Sequence, residues 1–262
     1  MKPIFPADLA SRLAAVQDEI AASEPGSNYP NYRQDELRFW SHIPAWIAAL
    51  PRGIRVLDVG AAYGTLAVFT RRALGAEVIA IDALSAYHPK ALFEREGIRH
   101  LVRDVERQPL ADLGPFDLVI FTEVLEHLNF QPVPTLTKLR DVLVPGGWLM
   151  LSTPDAASGW GRQLKYHQSL PELPAVDPAA PWIDDHVWQF DRPELLSSLV
   201  AAGFSVQALR HAPGLKPGWQ HFNLRARRPM ANARAGVMPF LDLIPQSVDD
   251  AMLRWQRRQW RR

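Results

Sequence analysis

RVLDVGAAYGTL, residues 55–66, sets an apolar run, one acid and a small-residue turn in immediate succession. Val56, Leu57 and Val59 have the branched, apolar character of an inner parallel strand that is buried on both faces. Gly60, Ala61, Ala62 and Gly64 let the backbone approach a ligand and let a following helix pack closely. A strand, a tight turn and a helix open a Rossmann-like unit. The expected fold is therefore α/β, with a doubly wound, mostly parallel sheet.

Charge sorts the ligands that such a turn can hold. A dinucleotide site wants G-x-G-x-x-G and rests a pyrophosphate on the helix N-terminus. The turn here reads Gly60, Ala61, Ala62, Tyr63, Gly64, Thr65 and lacks that spacing. Asp58, two residues before the first glycine, repels phosphate but suits a ligand that carries an ammonium and a sulfonium. S-adenosylmethionine (SAM) is such a ligand. A lone glycine-rich turn remains a weak signal, because many strand-to-helix corners bind nothing.

The segments on either side add weight. EVIAI, residues 77–81, is a second apolar strand ending in Asp82, about 20 residues beyond the first glycine, where a strand-end acid meets a ribose diol. Residues 99–103 read as a third strand, followed by Asp104 and Val105, which offer a carboxylate and a backbone N–H to an adenine edge. FDLVIFTEVLEHL, residues 116–128, is a fourth strand running into a polar turn and helix. LRDVLVPGGWLMLSTPD, residues 139–155, gives a helix end, a Pro145-Gly146-Gly147 turn and a fifth strand. ELLSSLVAAGF, residues 194–204, is an amphipathic helix closing at Gly203, with two strands after it around 205–211 and 219–227.

Taken in order, LDVGAAYGTL, VIAID, RDVE, DLVIFTEVLEHL, LVPGGWLMLSTP and HVWQFDRPELLSSLVAAGF resemble the class I SAM-dependent methyltransferases. Within that class the likeness is to the small-molecule group of ubiquinone-biosynthesis type, and it runs from about residue 55 to 228. The resemblance implies a seven-stranded sheet whose last two strands form an antiparallel hairpin at the edge. It places Asp58, Gly60 and Gly64 at the methionine end of SAM, Asp82 on the ribose, and Asp104 and Val105 beside adenine, with Ala62 and Tyr63 of the same turn also among the cofactor-binding residues. Thr122 and Glu123, in the turn after the fourth strand, belong with the methionine part. One departure is visible: the family often has a glycine where this chain has Ala62.

Composition agrees with this placement. The 262 residues are 47% hydrophobic, enough for one substantial domain with decorations. A net charge of +1 makes no broad case for nucleic acid. The absence of cysteine removes disulfides, thiolate metal sites and a cysteine nucleophile, including the one needed for pyrimidine C5 methylation. The N-terminal MKPIFPADLA lacks the apolar core of a signal peptide, and no uninterrupted apolar stretch reaches the ~18 residues of a spanning helix, so a cytoplasmic location is expected.

The chain divides into a helical cap (1–50), a cofactor-binding core (51–228) and a basic helical tail (229–262). In the cap, residues 6–22 and 34–50 have helical spacing, separated by the breaker-rich EPGSNYPNY, whose Tyr29 and Tyr32 either close over the methyl donor or pin the loop to the surface. Inside the core, the long connection 154–192 carries Trp160, Tyr166, His167, Trp182, His186 and Trp188. Its length, its aromatics and its position after a strand's carboxyl end mark it as an acceptor-binding lid. The end of the tail, DAMLRWQRRQWRR, mixes Trp255 and Trp260 with five arginines and can touch an anionic surface, although a solvated face with packing aromatics is the commoner arrangement.

Methyl transfer is an in-line displacement that positioning and water exclusion accelerate. A hydroxyl acceptor benefits from a base, for which His186 on the lid and His127 in EVLEHL are the candidates. Asp184 and Asp185 alone are too few ligands for Mg²⁺, and no metal is assigned. The sequence after the fourth strand, Phe121-Thr122-Glu123-Val124, is not the Asn-Pro-Pro-Tyr or Asp-Pro-Pro-Tyr of amide and adenine N-methylation. The expected reaction is methyl transfer from SAM to a small-molecule or glycan acceptor, with oxygen favoured by the family's habit. Two rivals stand beside it: a NAD-dependent oxidoreductase, disfavoured by Asp58 and the glycine spacing, and a non-catalytic binding or assembly subunit. The sequence carries no reading of oligomeric state.

Overall fold

A computed structural model describes residues 7–24, 27–159, 179 and 186–237. Three helices precede the sheet: α1 (Ala7–Ser23), α2 (Tyr29–Phe39) and α3 (Ile43–Ala48). The second helix begins earlier than its apolar spacing predicts. Tyr29 and Pro30 form its first turn, where proline is tolerated because the N–H it lacks has no intrahelical partner anyway. The chain then breaks at Trp40–Ser41 before α3, so the expected helix 34–50 is two shorter ones.

The core follows as β1 (Arg55–Val59), α4 (Thr65–Leu74), β2 (Glu77–Asp82), α5 (Lys90–Glu96), β3 (Arg99–Val102) and β4 (Phe116–Thr122). A 3₁₀ turn at Leu125–His127 replaces the regular helix expected after β4. Next come α6 (Pro132–Asp141), β5 (Leu143–Pro154), α7 (Arg192–Ala201), β6 (Ser205–Pro213), β7 (Gln220–Arg227) and a two-residue β8 (Gly236–Val237). β5 takes in the whole Pro-Gly-Gly segment, with a register irregularity against β4 between Phe116 and Leu118.

The sheet order is β3-β2-β1-β4-β5-β7-β6-β8. β1 to β5 pair in parallel, and β7 runs antiparallel between β5 and β6. The seven expected strands are present, but the count of seven needs correcting to eight, because β8 pairs in parallel with β6 and covers the hairpin's outer edge. β8 lies in the stretch expected as a helical tail. Residues 238–262, with Trp255, Trp260 and the arginines, lie outside the described residues.

Alternation along β1 builds the two layers. Leu57 and Val59 enter the cluster shared with Leu136 and Leu139 of α6 and Leu195 and Leu199 of α7. Val56 enters the opposite cluster, with Leu13 of α1, Leu66 and Phe69 of α4 and Phe93 of α5. Successive strand residues face opposite sides, so each face needs its own helical cover. The strand order reverses between β1 and β4, which opens a crevice at their carboxyl ends. No helix among the described residues is long and apolar enough to cross a membrane.

Candidate active site

A cavity of about 300 Å³ occupies that crevice, within the range of small-molecule sites. The turn after β1 forms its floor. Gly60 has φ +69°, and a Cβ there would run into the side chain of Val124. Ala62 adopts φ +45°, a left-handed conformation that an L side chain enters at a cost. Its N–H donates to Asp82 Oδ2 at 2.9 Å, and the Leu84 N–H donates to Asp82 Oδ1 at 2.9 Å. Asp82 therefore ties the turns after β1 and β2 together.

The expected cofactor residues separate into lining and support. Gly60, Ala62, Tyr63, Asp82, Asp104, Val105 and Glu123 line this cavity. Gly64 stands behind it as the N-cap of α4 at φ +75°, where a Cβ would strike the Phe93 ring, so its role is close packing. Asp58 and Thr122 face a small adjoining void of about 10 Å³ that Glu36 also lines. Burial pushes the Asp58 carboxyl up to about 7, the nearby Asp82 charge adds to the effect, and the Ala67 backbone N–H opposes it. Asp104 caps its own turn, accepting from the backbone N–H groups of Glu106 at 2.8 Å and Arg107 at 3.2 Å.

Two supports were not legible in the sequence. Glu106 accepts from the N–H groups of Asn129 at 2.7 Å and Phe130 at 2.8 Å and so ties the adenine-side loop to the chain after β4. The bonding groups are backbone atoms on a distant segment, which leave no residue signature. Glu36 is buried among Gln17, Tyr29 and Thr65 at 2.8–3.2 Å, joining α1 and α2 to the start of α4. Its carboxyl is pushed up to about 7 by burial, against the hydrogen bonds it accepts. Tyr29 is held in this network, so of the two tyrosines expected over the methyl donor only Tyr32 lines the cavity. Tyr63 lies 5.5 Å from Tyr32 and 5.5 Å from Tyr87, extending an aromatic wall.

A second cavity, of about 320 Å³, adjoins the first and shares Tyr32, Glu123 and His127 with it. The other walls include Phe39, Trp188, Trp219 and His221. His127 and His186 meet edge to face with ring centroids 4.6 Å apart, His186 at the exposed rim. Of the connection 154–192, residues 154–159 and 186–192 are described, and they pack here. The N–H groups of Val187 and Trp188 both donate to the Glu126 carbonyl, at 2.7 and 3.0 Å. Trp160, Tyr166, His167, Trp182, Asp184 and Asp185 lie outside the described residues.

The acids around this cavity divide by environment. Burial raises Glu126 well above the carboxylate range, the charge on Glu123 adds to it, and Glu126 Oε2 accepts from Thr153 Oγ1 at 2.9 Å. Burial would raise Glu123 as well, but the charge and hydrogen bonding of His221, 2.8 Å from Oε2, hold Glu123 below the usual range. Asp155 is engaged by His211 at 3.3 Å. Glu126, His127 and His186 bring ligand atoms within 4.8 Å of one another, the one such group among the described residues.

A family model described as a methyltransferase domain matches residues 31–209, more than half of the sequence. The chain belongs to the methyltransferase-domain family. Its sheet order and crevice are those of the class I, SAM-dependent members. A ubiquinone biosynthesis O-methyltransferase from Cereibacter sphaeroides is 40% identical over 110 residues, which span 40% of this chain and 44% of that relative. The match thus covers less than half the length of that curated relative. Among solved structures, the Burkholderia thailandensis 1,6-didemethyltoxoflavin-N1-methyltransferase, with its substrate and S-adenosylhomocysteine bound, is 24% identical at a TM-score of 0.58. That match covers 86% of this chain and 91% of the other. The [4+2]-cyclase SpnF is 15% identical at a TM-score of 0.56, over 86% and 95% of the two chains. A cyclase on the same frame shows that the fold hosts more than one chemistry, so the reaction has to be argued from the site.

Proposed function

We propose that this methyltransferase moves the methyl group of SAM to a hydroxyl oxygen of a small, ring-bearing acceptor, either a free metabolite or a glycan. The observation that carries this reading is the pair of adjoining cavities, about 300 and 320 Å³, that share Tyr32, Glu123 and His127. A donor in one and an acceptor in the other meet at that wall, as an in-line displacement requires.

The residues present fit the cofactor. The wall of the first cavity is rich in carboxylates and turn backbone, which suits a cationic ligand. Asp82 holds the ribose diol, Asp104 and Val105 face adenine, and Gly60, Ala62, Tyr63 and Glu123 surround the methionine end. Asp58, Gly64 and Thr122 keep the turns in place behind them. Bound SAM supplies an electrophilic methyl on a cationic sulfur. Tyr32 closes the junction, and burial together with Glu36, Glu123, Glu126 and Asp82 pushes its hydroxyl pKa up, so it stays a neutral phenol that excludes water without competing as a nucleophile. His186 and His127 orient the acceptor hydroxyl from the rim, the position in which the sequence placed a base.

Oxygen is favoured by the name of the Cereibacter relative and by the aromatic walls of the second cavity, which suit a ring face. The division into cap (1–50), core with lid (51–228) and tail (229–262) is part of the same proposal. Calorimetric titration with SAM, S-adenosylhomocysteine and a reduced nicotinamide tests the donor. Micromolar binding of the first two, about −8 kcal/mol, is expected, and nicotinamide binding in their place overturns the reading. Mass spectrometry of catechols, hydroxybenzoates and free sugars incubated with SAM tests the acceptor. No methyl gain on any of these hydroxyl compounds, with methylation of a parallel set of aromatic amines in their place, would refute the oxygen assignment.

A further inference from the structure

We infer that His221, oriented by Glu123, takes the proton from the acceptor hydroxyl. The inference rests on the oxygen-acceptor reading above and assigns a residue that sequence patterns did not single out. His221 lies on β7, in the antiparallel part of the sheet and far from every glycine-rich or acidic motif. Its side chain is 10% exposed, lines the acceptor cavity, and places Nδ1 2.8 Å from Glu123 Oε2. The approach is out of line for a straight Nδ1–H···O bond, so the contact is a close ion-pair distance rather than a formed hydrogen bond.

The cap fixes the ring from the other side. Phe39, at the end of α2, stacks on His221 with centroids 4.1 Å apart and planes 12° from parallel. Asn223, on the same face of β7, donates from Nδ2 to the Phe39 carbonyl at 2.5 Å and accepts from the His42 N–H at 3.1 Å. Thus α2, α3 and β7 lock the imidazole plane.

Glu123 carries signs of a residue held in place for its chemistry. It adopts φ +53°, a conformation that costs a non-glycine residue free energy and that clusters at functional sites. It lines both cavities, and its Oε1 has no hydrogen-bond partner among the described residues. Other groups near His221 are less suited to the pairing. Asp35 on α2 is raised by burial, Asp155 is engaged by His211, Glu126 is raised well above the carboxylate range, and His186 and His127 pack on each other. Glu123 is the carboxylate left to hold Nδ1–H and leave the Nε2 lone pair toward the acceptor.

In the step, the acceptor oxygen forms its bond to the methyl carbon as the carbon–sulfur bond breaks. The electron pair returns to sulfur as a neutral thioether. The hydroxyl proton passes to His221 Nε2, and Glu123 offsets the imidazolium charge. His186, exposed at the rim, orients the hydroxyl and takes no proton.

Two measurements test this on the full chain. With ¹⁵N-histidine NMR of the protein loaded with S-adenosylhomocysteine, His221 is expected as the Nδ1–H tautomer, and Glu123→Gln should shift its ¹⁵N resonances. An Nε2–H tautomer indifferent to Glu123→Gln overturns the inference without needing an acceptor. In the second, His221→Ala should lower turnover of a methylated catechol about 100-fold or more, the usual size of a base contribution, and leave S-adenosylhomocysteine affinity within about twofold. Added imidazole should restore part of the rate. Wild-type turnover that persists in His221→Ala sinks the role of His221 alone. A wild type that binds cofactor but methylates no hydroxyl compound sinks the oxygen reading, and the NMR result then decides the pairing by itself.

Discussion

Removing the Asp82 carboxylate should separate its two duties, tying turns and holding ribose. In the structure each oxygen already accepts one backbone N–H, from Ala62 and from Leu84, at 2.9 Å. In the proposed ribose role, the diol adds two hydrogen bonds to the same carboxylate. Hydrogen bonds to an ionised group contribute roughly 1.5–3 kcal/mol each, so losing two from the cofactor costs at least about 3 kcal/mol, about 100-fold in affinity. Asp82→Ala should therefore raise the dissociation constant of S-adenosylhomocysteine about 100-fold by calorimetry. The two N–H groups lose their acceptors as well, so melting temperature should fall without cofactor. Asp82→Asn keeps acceptor oxygen but no charge and should fall between the two. If Asp82→Ala binds S-adenosylhomocysteine as tightly as wild type while folded, the ribose assignment is refuted.

Ala62→Gly should relieve a left-handed conformation that costs about 1 kcal/mol at an L residue, partly offset by the entropy of a new glycine, for a net rise in melting temperature of about 2 °C; a fall would show that the methyl group packs favourably. His186→Ala should lower turnover while leaving S-adenosylhomocysteine affinity unchanged, and equal turnover would make this histidine a rim residue only. Asp58 sits at about 7 in the fold against 3.8. Its neutral form thus favours the folded state, with a contribution full below about pH 4 and lost as pH rises through 7. The stability of Asp58→Asn, measured by urea unfolding without cofactor, should gain on wild type between pH 5 and 8, and parallel curves would contradict the shift.

How far the letters reached depends on where each partner lies in sequence. The β1 turn, the mostly parallel sheet and its antiparallel edge hairpin were legible because strand, turn and helix are adjacent, and their burial pattern repeats along a few residues. The turn after β4 was legible, but the left-handed backbone at Glu123 was not, since glutamate rarely takes that conformation. Glu36, Glu106 and His221 escaped for one shared reason. Each acquires its role from groups brought together by tertiary packing: Glu36 by Gln17 and Thr65, Glu106 by two backbone N–H groups, His221 by Phe39 and Glu123. β8 is two residues long and carries no alternation to read.

The acids of the site are sorted by environment, and the sorting fits a cationic donor that becomes neutral. A wall made wholly of ionised carboxylates would bind SAM strongly but would also favour the positive sulfur over the transition state, in which that charge is disappearing. Here burial raises Glu126 well above the usual carboxylate range and brings Asp58 and Glu36 up to about 7, so that neither is fully ionised at physiological pH, while Glu123 at the junction is held below the usual range. The charge that Glu123 presents to the sulfonium before transfer is the same charge that pairs with an imidazolium after it. As the sulfur loses its positive charge, His221 gains one within 2.8 Å of the same carboxylate. The field at Glu123 is satisfied on both sides of the reaction, so the step needs little rearrangement of protein charge, which is the condition under which fixed electrostatics accelerate a displacement.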